Sequence, residues 1–284
     1  MIDALPLEEC VQPALPTRSN FIDAIRISVG NGSVARHFWE TAMGLHFVDE
    51  HEILDAETRE IWGIRRGMLR LTRLEMGRDV FPKIDLLEWE GCSGRPIRDA
   101  RHPWDYGLLA LRIPVSDLDA RLAQLAQWRC KIDRNGLEAC VTTPGGERVL
   151  LRQGGEPAVI AVVPSIDSAK GFFRESLRLP NGIPTRAETR FSGAASVDLV
   201  QSLRLGALEV MEFQRSADPR PAWATEGRMN VGYTGYCMLS VSAPLRELSL
   251  MHAPGGIPVE ITSRDSDVRT SASSAHLPIS RSAN

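Results

Sequence analysis

The sequence predicts an α+β protein that repeats one structural unit, a strand followed by a helix and then by further strands. Four apolar segments with the character of buried strands begin the successive units; they are 22–29, 108–115, 157–163 and 236–241. A length of 284 residues suits two domains of about 130 residues each. We therefore expect two tandem domains, each built from two units.

The first unit is complete in the sequence. Ser33 follows the first strand and can cap a helix in which Val34, Phe38 and Trp39 recur at helical spacing. Gly44 ends this helix, and the glycines and charged turns after it separate short β-rich runs. These runs are 45–48, 60–65, 68–74 and 84–89.

The later units repeat this order, but the fourth is short. Ser116 and Asp117 open the second helix, and Ser165 caps the third. From Val115 to the first Pro-Gly-Gly turn is 29 residues, whereas from Val241 to the second such turn is 13 residues. A helix and a strand do not both fit in the shorter interval. We therefore expect the fourth unit to lack most of both.

Charge and composition exclude several classes of function. A net charge of -3 and a pI near 6.1 give no basic surface for nucleic acid or for a membrane. The five cysteines are widely spaced and form no C-x-x-C pair, so a zinc site or a disulfide framework is not expected. The first twenty residues lack the pattern of a secretory signal. We expect a cytoplasmic protein whose partner is a small molecule. A homodimer is left open as its state of assembly.

We expect four regions along the chain. Residues 1–19 form an N-terminal extension, 20–153 a first domain and 154–263 a second domain. The serine-rich tail, 264–284, has little apolar content and is expected to be disordered.

Several short segments of the sequence occur in the order found in one known superfamily. They are Ile22-Asp23-Ala24-Ile25, His37-Phe38-Trp39, Gly44-Leu45, Ile84-Asp85-Leu86-Leu87-Glu88, Val115-Ser116-Asp117-Leu118-Asp119, Leu208-Glu209-Val210-Met211-Glu212 and Pro258-Val259-Glu260-Ile261. Over residues 20–262 the chain resembles the vicinal oxygen chelate (VOC) superfamily, which includes glyoxalase I, bleomycin-resistance proteins, fosfomycin-resistance enzymes and extradiol dioxygenases. The resemblance implies two tandem VOC-like domains, each built from paired βαβββ modules, with the fourth module shortened.

The metal ligands of that superfamily are missing from this sequence. The resemblance places ligands on the first strand of each module, at Ala24, Ala110, Ala158 and Tyr236, and on the fourth strands, at Asp85, Leu150, Glu209 and Glu260. All six histidines lie elsewhere; they are His37, His46, His51, His102, His252 and His276. A facial triad of two histidines and one carboxylate cannot be assembled from those strands. We expect no metal, no other cofactor, and neither ring-cleaving dioxygenase nor glyoxalase I chemistry.

The retained polar residues suggest proton transfer instead. In the second domain, Glu209, Glu260 and Tyr236 are expected to face an apolar wall, where burial raises the pKa of a carboxyl group and suits it to general acid–base catalysis. Two glutamates that are solvated or paired with arginine, as remnants of a metal site, are the open alternative.

Other residues are candidates for substrate binding. Arg26 and Arg112 occupy matched strand positions and can grip an anionic oxygen, or they pair with Asp85 or reach solvent. His252 precedes a turn and can approach the pocket, or it is merely exposed. Trp104 can close over a flat substrate, or it only packs against the first domain.

Three functions follow from these expectations. The first is a metal-independent enzyme of the lyase or isomerase type, which isomerises, eliminates from or cyclises a hydrophobic oxygenated small molecule. The second is a binding protein that sequesters a drug or metabolite without changing it. The third is a non-catalytic subunit whose cavity is vestigial. The retained carboxylates favour the enzyme.

Overall fold

The computed structural model describes most of the region with the predicted repeats. The described residues are 22–62, 64, 67–77, 81, 83–90, 95–96, 105–175, 183–185, 199–213, 233–243 and 249–263. The predicted extension 1–19, the tail 264–284 and Trp104 lie outside them.

The first unit contains the predicted strand and helix, followed by further strands. Its elements are β1 (Ile22–Val29), α1 (Gly32–Thr41), β2 (His46–Glu52), α2 (Ala56–Ile61), β3 (Leu69–Glu75), β4 (Lys83–Trp89) and the two-residue β5 (Arg95–Pro96). The cap of α1 is Asn31, whose side chain accepts from the amide of Val34 at 2.9 Å, and not Ser33 as expected.

One predicted strand of this unit is a helix. The run 60–65 was expected to be β-rich, but α2 covers its start, and the side chain of Asp55 caps α2 by accepting from the amide of Thr58 at 2.7 Å. This local cap favours a helical turn over an extended strand. The helix delivers Trp62 to the face of the sheet, with consequences described below.

The second and third units follow the expected order. The second consists of β6 (Gly107–Val115), α3 (Leu118–Leu125), β7 (Lys131–Asn135), β8 (Glu138–Thr142) and β9 (Arg148–Gln153), with a 3-10 turn at Ala126–Trp128 after its helix. The third consists of β10 (Ala158–Val162), α4 (Ile166–Glu175), β11 (Ile183–Thr185), β12 (Leu199–Leu205) and β13 (Leu208–Phe213). The hairpin of β7 and β8 was not predicted.

The fourth unit is shortened, as predicted. Its described elements are β14 (Tyr233–Ala243), β15 (Ser249–Ala253) and β16 (Ile257–Ser263). The longest described helices, α1 and α4, have 10 residues each. Within the described part of the chain, no helix has the length and apolar character needed to cross a membrane.

The strands form two eight-stranded sheets, so the α+β fold with two tandem domains of paired modules is confirmed. Sheet 1 has the order β15-β16-β14-β1-β4-β3-β2, with β5 beside β14, and sheet 2 has the order β11-β12-β13-β10-β6-β9-β8-β7. Sheet 1 therefore joins the first unit to the fourth, and sheet 2 joins the second to the third. This pairing differs from the expected pairing of consecutive units.

The two central contacts between units are antiparallel. β1 pairs with β14, and β6 pairs with β10. One large apolar cluster covers the side of both sheets that carries α1, α3 and α4, and it includes Trp39, Leu125 and Phe173. We call this side the helix face and the opposite side the inner face. Each inner face has a smaller apolar cluster of its own.

A β-bulge interrupts each central pairing at an equivalent place. Opposite β1, the register passes from Arg26–Met238 to Ile27–Tyr236, so Cys237 is an extra residue in β14. Opposite β10, Leu109 is likewise an extra residue in β6. Because an extra residue reverses the alternation of side chains, Tyr236 and Leu108 lie on the helix face.

The pairing across the chain halves predicts the behaviour of fragments. Residues 1–153 and 154–284, produced separately, each leave one edge of every central strand unpaired, because β1 loses β14 and β6 loses β10, and we expect each fragment alone to aggregate or self-associate. Produced together, they are expected to form a folded 1:1 complex, measured by light scattering and circular dichroism. Two fragments that are each stable, folded monomers would contradict the observed sheet order.

Candidate functional site

The inner face of sheet 1 holds a buried ionic cluster. Arg26 on β1 lies 2.6 Å from Glu260 on β16, measured from Nη1 to Oε2, and its Nε lies 3.4 Å from Oδ2 of Asp85 on β4. Arg73 on β3 donates to both oxygens of Asp85, at 2.8 and 3.1 Å. Arg26 is 6% exposed, and Asp85 and Glu260 are 0% and 1% exposed. Two arginines thus neutralise two carboxylates away from water.

Trp62 covers this cluster. Its indole Nε1 donates to Oε1 of Glu260 at 2.8 Å, and its ring lies 4.7 Å from the guanidinium carbon of Arg26. The hydroxyl of Ser240 donates to Oε2 of Glu260 at 3.2 Å. Both oxygens of Glu260 therefore accept hydrogen bonds within the protein. The helix α2, absent from the prediction, places this tryptophan.

The charges in the cluster stabilise one another. Burial acts to raise the pKa of Asp85, but hydrogen bonds from Arg73 and the charges of Arg73 and Arg26 outweigh it and hold that pKa below its ordinary value. Burial acts to lower the pKa of Arg26, but the charges of Glu260 and Asp85 outweigh it and raise that pKa. Asp85 is therefore ionised near neutral pH, and Arg26 is a permanent cation.

The inner face of sheet 2 holds a second buried pair. Nη1 of Arg112 on β6 donates to Oε2 of Glu209 on β13 at 2.7 Å, and both side chains are buried. The wall around the pair is apolar. Its buried residues are Leu109, Ala110, Leu150, Ile160, Val162 and Met211, and Tyr106, Cys140 and Phe213 are half-buried against them.

The two pairs share one geometry. In each sheet, an arginine on the first strand of one unit reaches the carboxylate on the last strand of the paired unit. Arg26 of the first unit binds Glu260 of the fourth, and Arg112 of the second unit binds Glu209 of the third. In the parallel registers, Ser240 lies beside Glu260 and Ile160 lies beside Glu209. An arginine thus crosses the central pair of strands in both sheets.

These residues do not fit a divalent metal. Among the described residues, no group of three histidine, cysteine, aspartate or glutamate side chains is placed to hold a metal ion. The carboxylates that the resemblance assigns as ligands instead bind the guanidinium groups of Arg26 and Arg112. A permanent cation at a carboxylate repels a second cation at the same position.

The fold separates the three residues that were predicted to be catalytic. Glu260 belongs to sheet 1, Glu209 belongs to sheet 2, and Tyr236 lies on the helix face. The prediction that Tyr236 faces the same wall as the glutamates is wrong, because the bulge at Cys237 turns it to the other side of the sheet.

Tyr236 joins the two sheets. Its hydroxyl donates to the backbone oxygen of Arg148 on β9 at 2.6 Å. Burial raises the pKa of Tyr236 well above its ordinary value, and the charge of Glu147 adds to this effect. Glu147 is itself buried beside Tyr236 and accepts a hydrogen bond from the hydroxyl of Thr143. Burial raises the pKa of Glu147, and this outweighs that hydrogen bond.

The substrate-binding candidates have mixed outcomes. Arg26 and Asp85 lie together, and Arg112 lies on the other sheet. His252 is exposed on the edge strand β15. Three strands, β16, β14 and β1, lie between β15 and β4, which carries Asp85. Trp104 is not described. Trp62, Arg73 and Ser240 were not among the predicted site residues. Arg73 is the register partner of Asp85 in the antiparallel pair of β3 and β4, so the two side chains lie on the same face.

Comparison with known proteins is informative only at the level of structure. No protein-family model matches the sequence, and no curated protein matches it. A mutant of glyoxalase I from Zea mays has a TM-score of 0.64 at 12% identity, with 88% of this chain and 96% of that chain covered. Wild-type glyoxalase I from Zea mays has a TM-score of 0.61 at 11% identity, with 88% and 94% covered. A putative dioxygenase from Bacillus subtilis has a TM-score of 0.55 at 12% identity, with 86% and 85% covered. This chain has the same fold as these three proteins.

The buried ionic cluster predicts a strong effect of one substitution. Arg26→Met leaves Glu260 and part of Asp85 without their cation, and we expect a loss of about 3–5 kcal/mol in the free energy of unfolding. Adding Glu260→Gln, which still accepts from Trp62, should restore part of this loss. The control Arg134→Met breaks an exposed pair with Asp119 and should cost about 0–1 kcal/mol. Urea unfolding measures all four proteins, and equal losses for Arg26→Met and Arg134→Met would refute the cluster's role.

Glu147 predicts a dependence of stability on pH. Its pKa in the folded protein lies above that of an unfolded glutamate, so the folded state binds the proton more tightly. Its contribution to stability is present at pH values below the unfolded pKa, about 4.3, and is lost as the pH rises through the raised folded pKa.

Glu147→Gln should remove this loss. Urea unfolding from pH 4 to 8 should show the variant gaining stability relative to the wild type as the pH rises. Glu52→Gln, at an exposed position of β2, serves as the control and should leave the wild-type profile unchanged. A constant difference between Glu147→Gln and the wild type across this range would contradict the assignment.

Proposed function

We propose that this chain, which has the vicinal oxygen chelate fold, binds a hydrophobic oxygenated small molecule on the inner face of sheet 2 and releases it unchanged. The observation that carries this proposal is the occupation of both candidate catalytic carboxylates by buried arginines. Proteins of this fold include enzymes and binding proteins, and the ionic pairs favour binding.

The ion pairs oppose acid–base catalysis by the glutamates. A general base must accept a proton from its substrate, and a general acid must hold one. A guanidinium group lies 2.6 Å from Oε2 of Glu260 and 2.7 Å from Oε2 of Glu209, so that oxygen of each glutamate is already in contact with a donor and is not open to a substrate. Glu260 also accepts hydrogen bonds from Trp62 and Ser240, so both of its oxygens already have donors within the protein.

We place the binding surface on sheet 2 because of what lies over each ion pair among the described residues. On sheet 1, Trp62 covers the ionic cluster, and Ile53 and Ile64 are buried in the same apolar cluster as Trp62. On sheet 2, the equivalent hairpin of β7 and β8 is joined directly by Gly136 and Leu137, and the described residues of that unit place no such cover on the face. Tyr106 and Phe213 are half-buried there.

The composition of this wall suits a flat, oxygenated ligand. Small-molecule sites combine an apolar lining with a small number of placed polar groups. Aliphatic and aromatic residues supply the lining, and the Arg112–Glu209 pair supplies the polar groups. An arginine donates in a planar fork, which suits a carbonyl or phenolic oxygen at the edge of an aromatic ligand.

Proton transfer at Glu209 is the second candidate function. The described contacts of Glu209 include one ion pair, with Arg112, in an apolar wall, whereas Glu260 receives three donors. Glu209 is therefore the carboxylate better placed to act as a base. The structural neighbours named as glyoxalase I and as a putative dioxygenase are consistent with an enzyme. On this reading, Glu209 acts without Tyr236 and without Glu260.

Calorimetry with 1,8-dihydroxyanthraquinone, a flat hydrophobic oxygenated compound, tests the binding site. We expect saturable 1:1 binding. Phe213→Ala should weaken it about tenfold, since the loss of about 1.4 kcal/mol of apolar contact corresponds to that factor. The control Phe47→Ala removes an exposed phenylalanine of β2 and should leave the affinity unchanged. Equal affinities of both variants would reject sheet 2 as the binding surface.

Mass spectrometry of the recovered compound separates the two functions. If the protein only binds, the wild type and Glu209→Gln both return the compound at its original mass and isomeric form, read by chromatography. A product that forms with the wild type and not with Glu209→Gln supports proton transfer and contradicts the binding proposal. Near-ultraviolet circular dichroism verifies that the variant is folded.

A further inference from the structure

Among the described residues, three buried side-chain polar atoms on the inner face of sheet 1 have no hydrogen-bond partner: Nη1 of Arg26, Oγ of Ser28 and Nε1 of Trp89. Nη1 of Arg26 lies in an ion pair 2.6 Å from Oε2 of Glu260, which leaves the atoms of Ser28 and Trp89. Ser28 is 2% exposed and Trp89 is 4% exposed, so bulk water does not replace the missing partners. Buried polar groups in native proteins are nearly always satisfied, and an exception calls for an explanation, such as strain, a bound water or ion, or a functional role.

These two atoms belong to one end of the face. Ser28 on β1 is the register partner of Leu87 on β4, and Trp89 follows two positions later on the same face of β4. Because β1 and β4 are adjacent and parallel, the two side chains project from the same face of the sheet, two positions apart along the strands. The ionic cluster of Arg26 and Asp85 lies at the preceding position of the same two strands.

The residues beside the two atoms are mostly apolar, and the neighbouring charges of Arg26 and Asp85 are paired with each other and with Glu260 and Arg73. Leu69, Leu71 and Ile64 line this part of the face together with Leu87. The thiol of Cys237 donates to the backbone oxygen of Arg26 at 3.3 Å. Burial raises the pKa of Cys237 to about 12, so this thiol is neutral at pH 7. Because the nearby charges are already paired, a charged ligand would find no free counter-ion and would lose its hydration.

The chemistry of the two groups defines what they bind. An indole N–H only donates a hydrogen bond, and a serine hydroxyl donates as well as accepts. A carbonyl oxygen has two lone pairs and can accept from both groups. We propose that this end of sheet 1 is a binding site for the carbonyl group of a small uncharged organic molecule, a ketone or an amide, held by Trp89 and Ser28. The site lies on the other sheet from the proposed binding surface and does not depend on that proposal.

Nuclear magnetic resonance of the full chain with nitrogen-15-labelled tryptophan tests this site directly. The Trp89→Phe variant assigns the indole N–H signal of Trp89 by its disappearance. Titration with cyclopentanone should shift this signal downfield and saturably, because the N–H gains an acceptor. Cyclopentane, which has a similar ring and no oxygen, should leave it in place. The indole signal of Trp128, which packs on the helix face, provides the internal reference.

Ser28→Ala tests the second donor. We expect cyclopentanone to bind this variant about fivefold more weakly, as for the loss of one neutral hydrogen bond. The control Ser168→Ala changes an exposed serine of α4 and should bind as the wild type does. The comparison of cyclopentanone with cyclopentane uses the wild type, so it remains decisive if Ser28→Ala does not fold.

Three outcomes would overturn the proposal. The first is the absence of a saturable shift of the Trp89 signal with cyclopentanone, and the second is an equal shift with cyclopentane. The third is a persistent magnetisation transfer from water to the Trp89 N–H at saturating cyclopentanone, which would identify a structural water as the occupant. Failure of this site would leave the proposed function on sheet 2 untouched.

Discussion

The buried arginine–carboxylate pairs determine how the inner faces of both sheets are organised. Each pair crosses from one unit to its partner, from Arg26 to Glu260 in sheet 1 and from Arg112 to Glu209 in sheet 2. Removing two charges from water is costly, and the attraction between them compensates only when the geometry is good and other hydrogen bonds complete the group. In sheet 1, Trp62, Ser240 and Arg73 complete it. In sheet 2, the described contacts are fewer.

This arrangement also bears on the metal ligands that the resemblance implies. A guanidinium group neutralises carboxylates at the place where the resemblance assigns a metal. Each of these glutamates is one partner of a buried ion pair. Removing either partner would leave the other as an uncompensated buried charge. The cation is permanent and cannot exchange, open a coordination position or activate a water molecule as a bound metal does. The structure thus keeps the electrostatic balance of such a site while changing what the site can do.

The positions of strands and turns could be predicted from the sequence. Which strands pair, and on which side of a sheet a given side chain lies, could not. The strands that begin at Ile22 and Ala158, the helix containing Leu118 and the short fourth unit all follow from apolar periodicity and turn residues. The partner of each first strand could not be chosen, because all four are similarly apolar and carry no complementary signal. The bulge at Cys237 has no sequence mark either, and one extra residue was enough to move Tyr236 to the opposite face. The cover of sheet 1 was missed because α2 is short and depends on the Asp55 cap.

The two inner faces are built on one plan but differ in the residues that lie over them. In sheet 1, an insertion between β2 and β3 supplies Trp62, and its burial above Arg26 fills the centre of the face. What remains there is a small end with two unsatisfied donors, Ser28 and Trp89. In sheet 2, a tight hairpin replaces that insertion, and the wall beside Arg112 and Glu209 carries half-buried aromatic residues. Among the described residues, a short helix above the ion pair thus distinguishes sheet 1 from sheet 2, while the strands that carry the two arginine–glutamate pairs keep the same arrangement.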